Sequence, residues 1–163
     1  MANLDPGPYT AILAGKDSTT GVGLVEVYDL DQSAGSKLAN ISTRGFVDIS
    51  DNVMIGGFIA GPASIGPTKV LLRGIGPSLI GVGIQDALLD AVMELHDGSG
   101  ALIATNDNWK DTQQAEIEAT GIAPTDDRES AILQTLTPGN YTAIVRGKNS
   151  TTGVGLVEAY NLP

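Results

Sequence analysis

The sequence predicts an all-β fold, a β-sandwich with jelly-roll or Greek-key connections and one short surface helix. Short runs rich in Val, Ile, Leu, Thr and Tyr recur along the 163 residues, which is typical of strands. The 21 glycines and eight prolines indicate many turns, as short strands joined by turns require. The length favours one main domain, and a hydrophobic content of 42% is enough to build its core.

Six runs in the middle of the chain are predicted strands: residues 38–47, 53–60, 69–75, 91–97, 101–105 and 129–136. The sequence Asp-Gly-Ser-Gly at 97–100 predicts a tight hairpin turn between two of them. Residues 76–90 are ambiguous between a loop and a short helical turn. Residues 111–120 predict the helix, which has an acidic start and is followed by Gly121. Its single large apolar residue is Ile117, so we expect it on the surface.

The two ends of the chain carry the same 26-residue stretch. The N-terminal copy, residues 6–31, is PGPYTAILAGKDSTTGVGLVEVYDLD, and the C-terminal copy, residues 138–163, is PGNYTAIVRGKNSTTGVGLVEAYNLP. They differ at seven positions, which leaves 19 identities at a constant offset of 132. Each copy predicts a β-hairpin, because a Gly-Lys-x-Ser-Thr-Thr-Gly turn separates two runs of strand-forming residues.

A spacing of 132 residues indicates a repeated domain, since solenoid units span roughly 20–50 residues. We therefore expect a β-sandwich domain at 37–163, a small polar linker at 32–36, and residues 1–31 as a hairpin that duplicates the C-terminal one. Three interpretations stay open: the N-terminal hairpin is the tail of a preceding copy, it lies in the same sandwich as the second hairpin, or it docks on a neighbouring molecule.

The third interpretation predicts self-association through residues 7–31. An isolated hairpin is at best marginally stable in water, whereas unpaired sheet edges accept added strands. Main-chain hydrogen bonds would be joined by burial of five side chains, Tyr9, Ile12, Val22, Leu24 and Tyr28. A head-to-tail contact that does not close into a ring produces a filament. The predicted partner is thus a second copy of this chain, by strand or hairpin exchange.

Charge and composition exclude several classes of function. The net charge of −10 repels phosphate backbones and anionic lipid heads, so we expect no nucleic-acid and no membrane partner. No stretch approaches the ~20 apolar residues of a membrane span, and residues 1–8 lack the pattern of a signal peptide. The absence of cysteine excludes disulfides and thiolate metal sites.

Candidate catalytic residues are few. His96 is the single histidine, and no GxSxG, HExxH or SxxK motif accompanies it. It is better explained as a surface residue of a strand beside a turn. Paired carboxylates can hydrolyse glycosides, yet the acidic residues here fall in loop-like contexts typical of a solvated face. We expect no enzymatic activity, and a hydrolase is the remote alternative.

Calcium is a more favourable use of the acidic loops. Ca²⁺ takes six to eight oxygen ligands and tolerates irregular loops. The candidate ligands come from two loops: Asn106, Asp107, Asn108, Asp111, Asp126 and Asp127. No EF-hand spacing is present, and ordinary turn formation by Asn and Asp explains the same residues.

Trp109 suggests a second function, because sugar-binding surfaces use exposed aromatic rings. A calcium-assisted carbohydrate-binding accessory module, centred on Trp109 and the acidic loops, is therefore the alternative to self-association, with a surface polysaccharide as the partner. The other interpretation of Trp109 is structural: the indole covers the open end of the sandwich beside the helix.

Several motifs together resemble a family of repeat domains. SKLANISTRGFVDISDNVMIGGFIAG, KVLLRGIGPSL, LLDAVMELHDGSGALIATNDNW and ESAILQTLTPGNYTAIVRG follow one another in the order of that family, which occurs in large secreted or surface proteins of Verrucomicrobia and related environmental bacteria. The second half is also similar to the bacterial pre-peptidase C-terminal type of β-sandwich. The resemblance implies an extracellular, non-catalytic structural or accessory module, without implying a substrate.

Overall fold

The computed structural model describes residues 2–30, 38–62, 64 and 66–163. The chain divides into two compact units, Met1–Lys37 and Leu38–Pro163. The linker predicted at 32–36 lies outside the described residues. The second unit contains all the strands found in the described part of the chain.

The described residues of the second unit form eight strands and one helix. They are β1 (Asn40–Val47), β2 (Met54–Ala60), β3 (Thr68–Ile75), β4 (Ala91–Asp97), β5 (Leu102–Asn106), α1 (Gln114–Glu118), β6 (Ser130–Leu136), β7 (Gly139–Gly147) and β8 (Gly153–Leu162). The described residues also include 3-10 turns at Pro77–Val82 and Lys148–Ser150. The six central strands lie within two residues of their predicted bounds, and the ambiguous segment 76–90 contains a 3-10 turn.

The strands form two antiparallel four-stranded sheets that pack as a β-sandwich, which confirms the predicted fold class. Sheet I has the order β1-β8-β3-β6 and sheet II the order β2-β7-β4-β5. The chain changes sheet at every connection except the β4–β5 hairpin. In that hairpin, Asp97 Oδ1 accepts hydrogen bonds from Ser99 N at 2.8 Å and Ala101 N at 3.0 Å, the turn that Asp-Gly-Ser-Gly predicts.

The hairpin prediction for the C-terminal copy is wrong. Strand β7 pairs with β2 and β4 in sheet II, whereas β8 pairs with β1 and β3 in sheet I. The turn between them therefore crosses the sandwich, and we call the segment 139–162 the C-terminal arch. Its two strands are interior strands of their sheets, so this arch holds the edge strands β1 and β2 to the rest of the domain.

The main core lies between the two sheets. Its largest fully buried members are Leu72, Leu88, Met93, Leu95, Val47 and Val145. Gly56 of β2 keeps the sheets close, because a Cβ there would lie 3.1 Å from both methyl groups of Val157. The second core is formed where Trp109 and Ile117 pack on Leu71 of β3 and Leu133 of β6. Because successive side chains of a strand alternate in direction, this second core covers the outer face of sheet I.

Candidate functional site

The turn of the N-terminal copy has the same backbone geometry as the turn of the C-terminal arch. Asp17 has φ 53° and ψ 38°, and its counterpart Asn149 has φ 53° and ψ 36°. Asp and Asn tolerate this left-handed region better than most residues. Thr19 Oγ1 donates to the Lys16 carbonyl at 2.8 Å, and the matching bond in the arch is 2.9 Å long. The seven-residue motif thus encodes its turn locally.

A glycine is required at the start of each turn. A Cβ at Gly15 would lie 1.9 Å from the carbonyl oxygen of Thr19, and one at Gly147 would lie 1.9 Å from that of Thr151. These distances are far below van der Waals contact, so neither turn accommodates a side chain. The N-terminal copy is consequently shaped to reverse direction as the C-terminal arch does.

The runs on either side of the N-terminal turn are not strands in the described residues 2–30. The prediction of two strands there is therefore wrong for this structure. A strand needs a pairing strand, and the described residues of this unit contain none. All five side chains predicted to mediate self-association are exposed: Tyr9 58%, Ile12 89%, Val22 90%, Leu24 76% and Tyr28 65%. By contrast Tyr141, the counterpart of Tyr9, is 8% exposed.

One side-chain pair of the arch is also repeated. The Tyr160 hydroxyl donates to Glu158 Oε1 at 2.9 Å, and the Tyr28 hydroxyl donates to Glu26 Oε1 at 3.1 Å. The hydrogen bond and the charge of Glu26 raise the pKa of Tyr28. In the domain, Glu158 additionally forms an ion pair with Arg73 of β3.

The acidic loops do not converge on one point. Asp107 Oδ2 lies 2.6 Å from Lys148 Nζ, Asp127 Oδ1 lies 2.6 Å from Lys110 Nζ, and Asp126 Oδ2 lies 2.8 Å from Arg128 Nη2. The positive charge of each of these lysines and arginines lies against the aspartate oxygens, in the place that a bound metal ion would take. The hydrogen bonds of Arg128 lower the pKa of Asp126, and the bond to Asp107 raises the pKa of Lys148.

The amides of these loops have structural partners. Asn106 is 5% exposed; its Nδ2 donates to the Asn108 carbonyl, and its Oδ1 accepts from the Ala131 amide. Asn108 Nδ2 donates to Asp111 Oδ2 at 3.0 Å. Among the described residues no group of three or more His, Cys, Asp or Glu side chains is placed to hold a metal ion. In this arrangement the six candidate residues do not fit one calcium ion. A calorimetric titration without heat, together with unchanged melting, would remove the calcium prediction.

Trp109 is buried, with 4% of its surface exposed. Its Nε1 donates to the Asp126 carbonyl at 3.2 Å, and Lys110 Nζ lies 5.1 Å from the ring centroid. A ring in this position is not available to stack on a sugar. It does lie beside the helix, as the structural interpretation holds, although it covers sheet I rather than the open end of the sandwich. No observation here favours the carbohydrate-binding alternative.

His96 lies on β4, where Nε2 is 2.9 Å from Glu94 Oε2 and Nδ1 is 3.1 Å from the Gly100 carbonyl. The hydrogen bond with Glu94, followed by that with Gly100, raises its pKa. Both ring nitrogens are thus engaged by a neighbouring strand residue and by the turn, as expected of a surface strand residue. Within the described part of the chain, no helix is long and apolar enough to cross a membrane.

The expectation that the clustered acidic residues form a solvated face is wrong for Glu129, which is fully buried. Glu129 Oε1 accepts hydrogen bonds from Gly76 N, Ser78 N and Ser78 Oγ, at 3.1, 3.0 and 2.5 Å. Its Oε2 accepts from Asp126 N at 3.3 Å. The first three bonds join the loop after β3 to the loop before β6, and the fourth lies within the loop before β6. A glutamate that directly precedes an apolar strand carries no sequence signal for such a role.

No protein-family model matches the chain, and no curated protein matches it. Among solved structures, the chain is similar to the pre-peptidase C-terminal domain of a collagenase from Bacillus anthracis. The identity is 12%, the similarity covers 74% of this chain and 88% of that domain, and the TM-score is 0.46.

Proposed function

We propose that this chain is a non-catalytic, extracellular structural or adhesive β-sandwich module that self-associates through residues 7–31. The observation that carries the proposal is the contrast between the two copies. The C-terminal copy forms interior strands of two sheets at 139–162, where the counterparts of the five side chains are buried or half-buried, whereas the N-terminal copy exposes its apolar side chains at 7–30. The extracellular setting rests on the resemblance to repeat domains of secreted proteins.

The energetic basis is burial of apolar surface together with main-chain pairing. Apolar burial contributes about 25 cal/mol per Å², so a few hundred Å² contributes several kcal/mol. Ordering the segment and immobilising two molecules offset part of this. Because the donor segment and the acceptor surface differ, the contact is head-to-tail, and repetition of it builds filaments.

Light scattering on a sizing column, with negative-stain microscopy of the same fractions, tests the proposal. We expect oligomers or filaments from the full chain and single chains from the full-length variant Ile12→Asp/Val22→Asp. The matched control is Val82→Asp, since Val82 is also an exposed apolar residue, 74% accessible, but lies in the second unit. The control should assemble like the unchanged chain.

Three results would contradict the proposal. The first is a full chain that stays monomeric at every concentration. The second is assembly that survives both aspartates. The third is unfolding of a variant that lacks residues 1–36, which would place both copies inside one sandwich.

A further inference from the structure

The position that the C-terminal arch occupies is a single interior slot. Strand β8 lies between β1 and β3, and β7 lies between β2 and β4. Each chain therefore has one slot and two segments of arch sequence. If the N-terminal copy of one chain replaced the arch of another, the displaced arch would be left without partners. Exchange alone leaves the number of unpaired segments unchanged, so it provides no net pairing.

The sequence differences also disfavour exchange. Val145 is fully buried, and Leu13 would bring an additional methylene into that space, which well-packed cores resist. The C-terminal arch is therefore the better occupant, and the N-terminal copy needs another surface.

The free edge of β6 is already covered. Asn106 Oδ1 accepts from the Ala131 amide at 2.9 Å, and Gln113 Oε1 accepts from the Leu133 amide at 3.1 Å. Gln113 Nε2 also donates to the Leu133 carbonyl at 2.9 Å. Residues two apart direct their main-chain groups to the same side of a strand, and β3 occupies the other side of β6. The side-chain amides of Asn106 and Gln113 therefore occupy the main-chain groups of β6 that an added strand would need for pairing.

The edges of β1 and β2 carry no such protection in the described residues. Strand β2 has the sequence MIGGFIA, without charge or proline, and β1 has one charged residue, Arg44. Exposed edges normally carry charges, prolines or bulges that prevent pairing. The outer face of β2 is apolar as well, with Ile55 56% exposed and Ile59 74%, and Phe46, 57% exposed, adds an apolar residue to the otherwise polar outer face of β1.

β1 and β2 contact each other at the same side of the sandwich. In the domain, the C-terminal arch is antiparallel to both of them, with β7 along β2 and β8 along β1. A second arch in the same orientation, laid on the free side, is again antiparallel to both. It extends the two sheets at once.

On this basis, and resting on the proposed self-association, we propose that residues 9–30 of one copy add to the free edges of β1 and β2 of a second copy. The chemistry of the pairs already present in the domain supports this occupant. Ile144 lies opposite Ile55, and Val154 lies opposite Phe46. Their counterparts, Ile12 and Val22, are the exposed residues that the N-terminal copy presents. Glu26 adds a carboxylate on the strand that faces Arg44.

A disulfide lock distinguishes edge addition from exchange. Lys69 of β3 lies opposite Leu162 of β8, and the chain contains no cysteine, so Lys69→Cys/Leu162→Cys forms one bond that holds the arch in its slot. We expect the oxidised variant to assemble as fully as the reduced one. Assembly that is lost on oxidation and restored on reduction would show exchange, which overturns edge addition and leaves self-association intact.

Substitution of edge residues shows which edge of sheet II accepts the added segment. Ile55→Lys/Ile59→Lys places two charges on β2, and Leu102→Lys/Ile103→Lys is the matched change on β5, the opposite edge of sheet II. We expect the β2 variant to be monomeric and the β5 variant to assemble, with both keeping the same circular dichroism and melting. Loss of assembly only in the β5 variant, or in neither variant, would overturn the assignment. If the Ile12→Asp/Val22→Asp variant also assembles, the proposed function itself is wrong.

Discussion

Arg73 and Glu158 lie opposite each other on β3 and β8 and form an ion pair on the outer face of sheet I. Arg73 Nε donates to Glu158 Oε2 at 2.8 Å, Nη1 donates to the Ile122 carbonyl at 2.7 Å, and Nη2 donates to the Tyr160 hydroxyl at 2.9 Å. The two side chains are only 17% and 9% exposed. The guanidinium therefore joins the C-terminal arch to β3 and to the loop that carries Ile122.

Removal of one partner should strongly destabilise the domain. Arg73→Met leaves Glu158 buried and uncompensated, which costs about 3–5 kcal/mol. Urea unfolding measures the loss, and Arg73→Met/Glu158→Leu should recover most of it. Arg128→Met is the control, because Arg128 and its partner Asp126 are 53% and 28% exposed and such a pair contributes about 0–1 kcal/mol. Equal losses in the two single variants would contradict this interpretation.

The two turn glycines should have separate effects. Gly147→Ala brings a Cβ against the Thr151 carbonyl and should lower the free energy of unfolding by about 1–3 kcal/mol, the cost of overpacking. Gly15→Ala makes the same clash with Thr19, yet it should leave the unfolding of the second unit unchanged and weaken assembly. Chemical denaturation and light scattering on both variants check this. A Gly15→Ala chain that assembles normally would show that the turn geometry is not needed.

The stability of the domain should depend on pH through His96. The Glu94 carboxylate and the Gly100 carbonyl raise the pKa of His96 above its ordinary value, against smaller opposing effects of burial and of Arg146. The protonated ring therefore stabilises the folded chain below about pH 6.5, the value in the unfolded chain. This contribution is lost as the pH rises through the pKa of the folded chain.

The comparison to make is His96→Gln against the unchanged chain, by denaturation from about pH 5 to about pH 8. The two should differ at the acidic end and converge at the alkaline end. A difference that is constant with pH would mean that His96 contributes through packing alone.

The fluorescence of Trp109 should change when the domain unfolds and should not respond to sugars. It is the single tryptophan and is nearly fully buried, so soluble polysaccharides and iodide should leave its fluorescence unchanged until the domain unfolds. Trp109→Ala should cost about 3–5 kcal/mol, as truncation of a large buried aromatic does. Saturable quenching by an oligosaccharide in the folded chain would restore the carbohydrate-binding alternative.

Strand positions and turns were predictable because they depend on neighbouring residues. The Asp-Gly-Ser-Gly hairpin, the six central strands and the helix around Ile117 all follow from local patterns, although the helix is shorter than predicted. The repeat was equally visible, since two stretches with 19 identities need no structure to be found. The resemblance of the motifs to surface repeat domains could likewise be found from the sequence alone.

The sequence by itself thus determined a β-sandwich with two copies of one turn, and the left-handed residues at Asp17 and Asn149 adopt the same geometry in both. Only the tertiary structure decided that β7 and β8 join different sheets, that Trp109 is covered, and that the acidic loops are neutralised by Lys110, Arg128 and Lys148. The reason is physical. A turn is fixed by the residues within it, whereas the partner of a strand and the burial of a ring depend on residues distant in the chain.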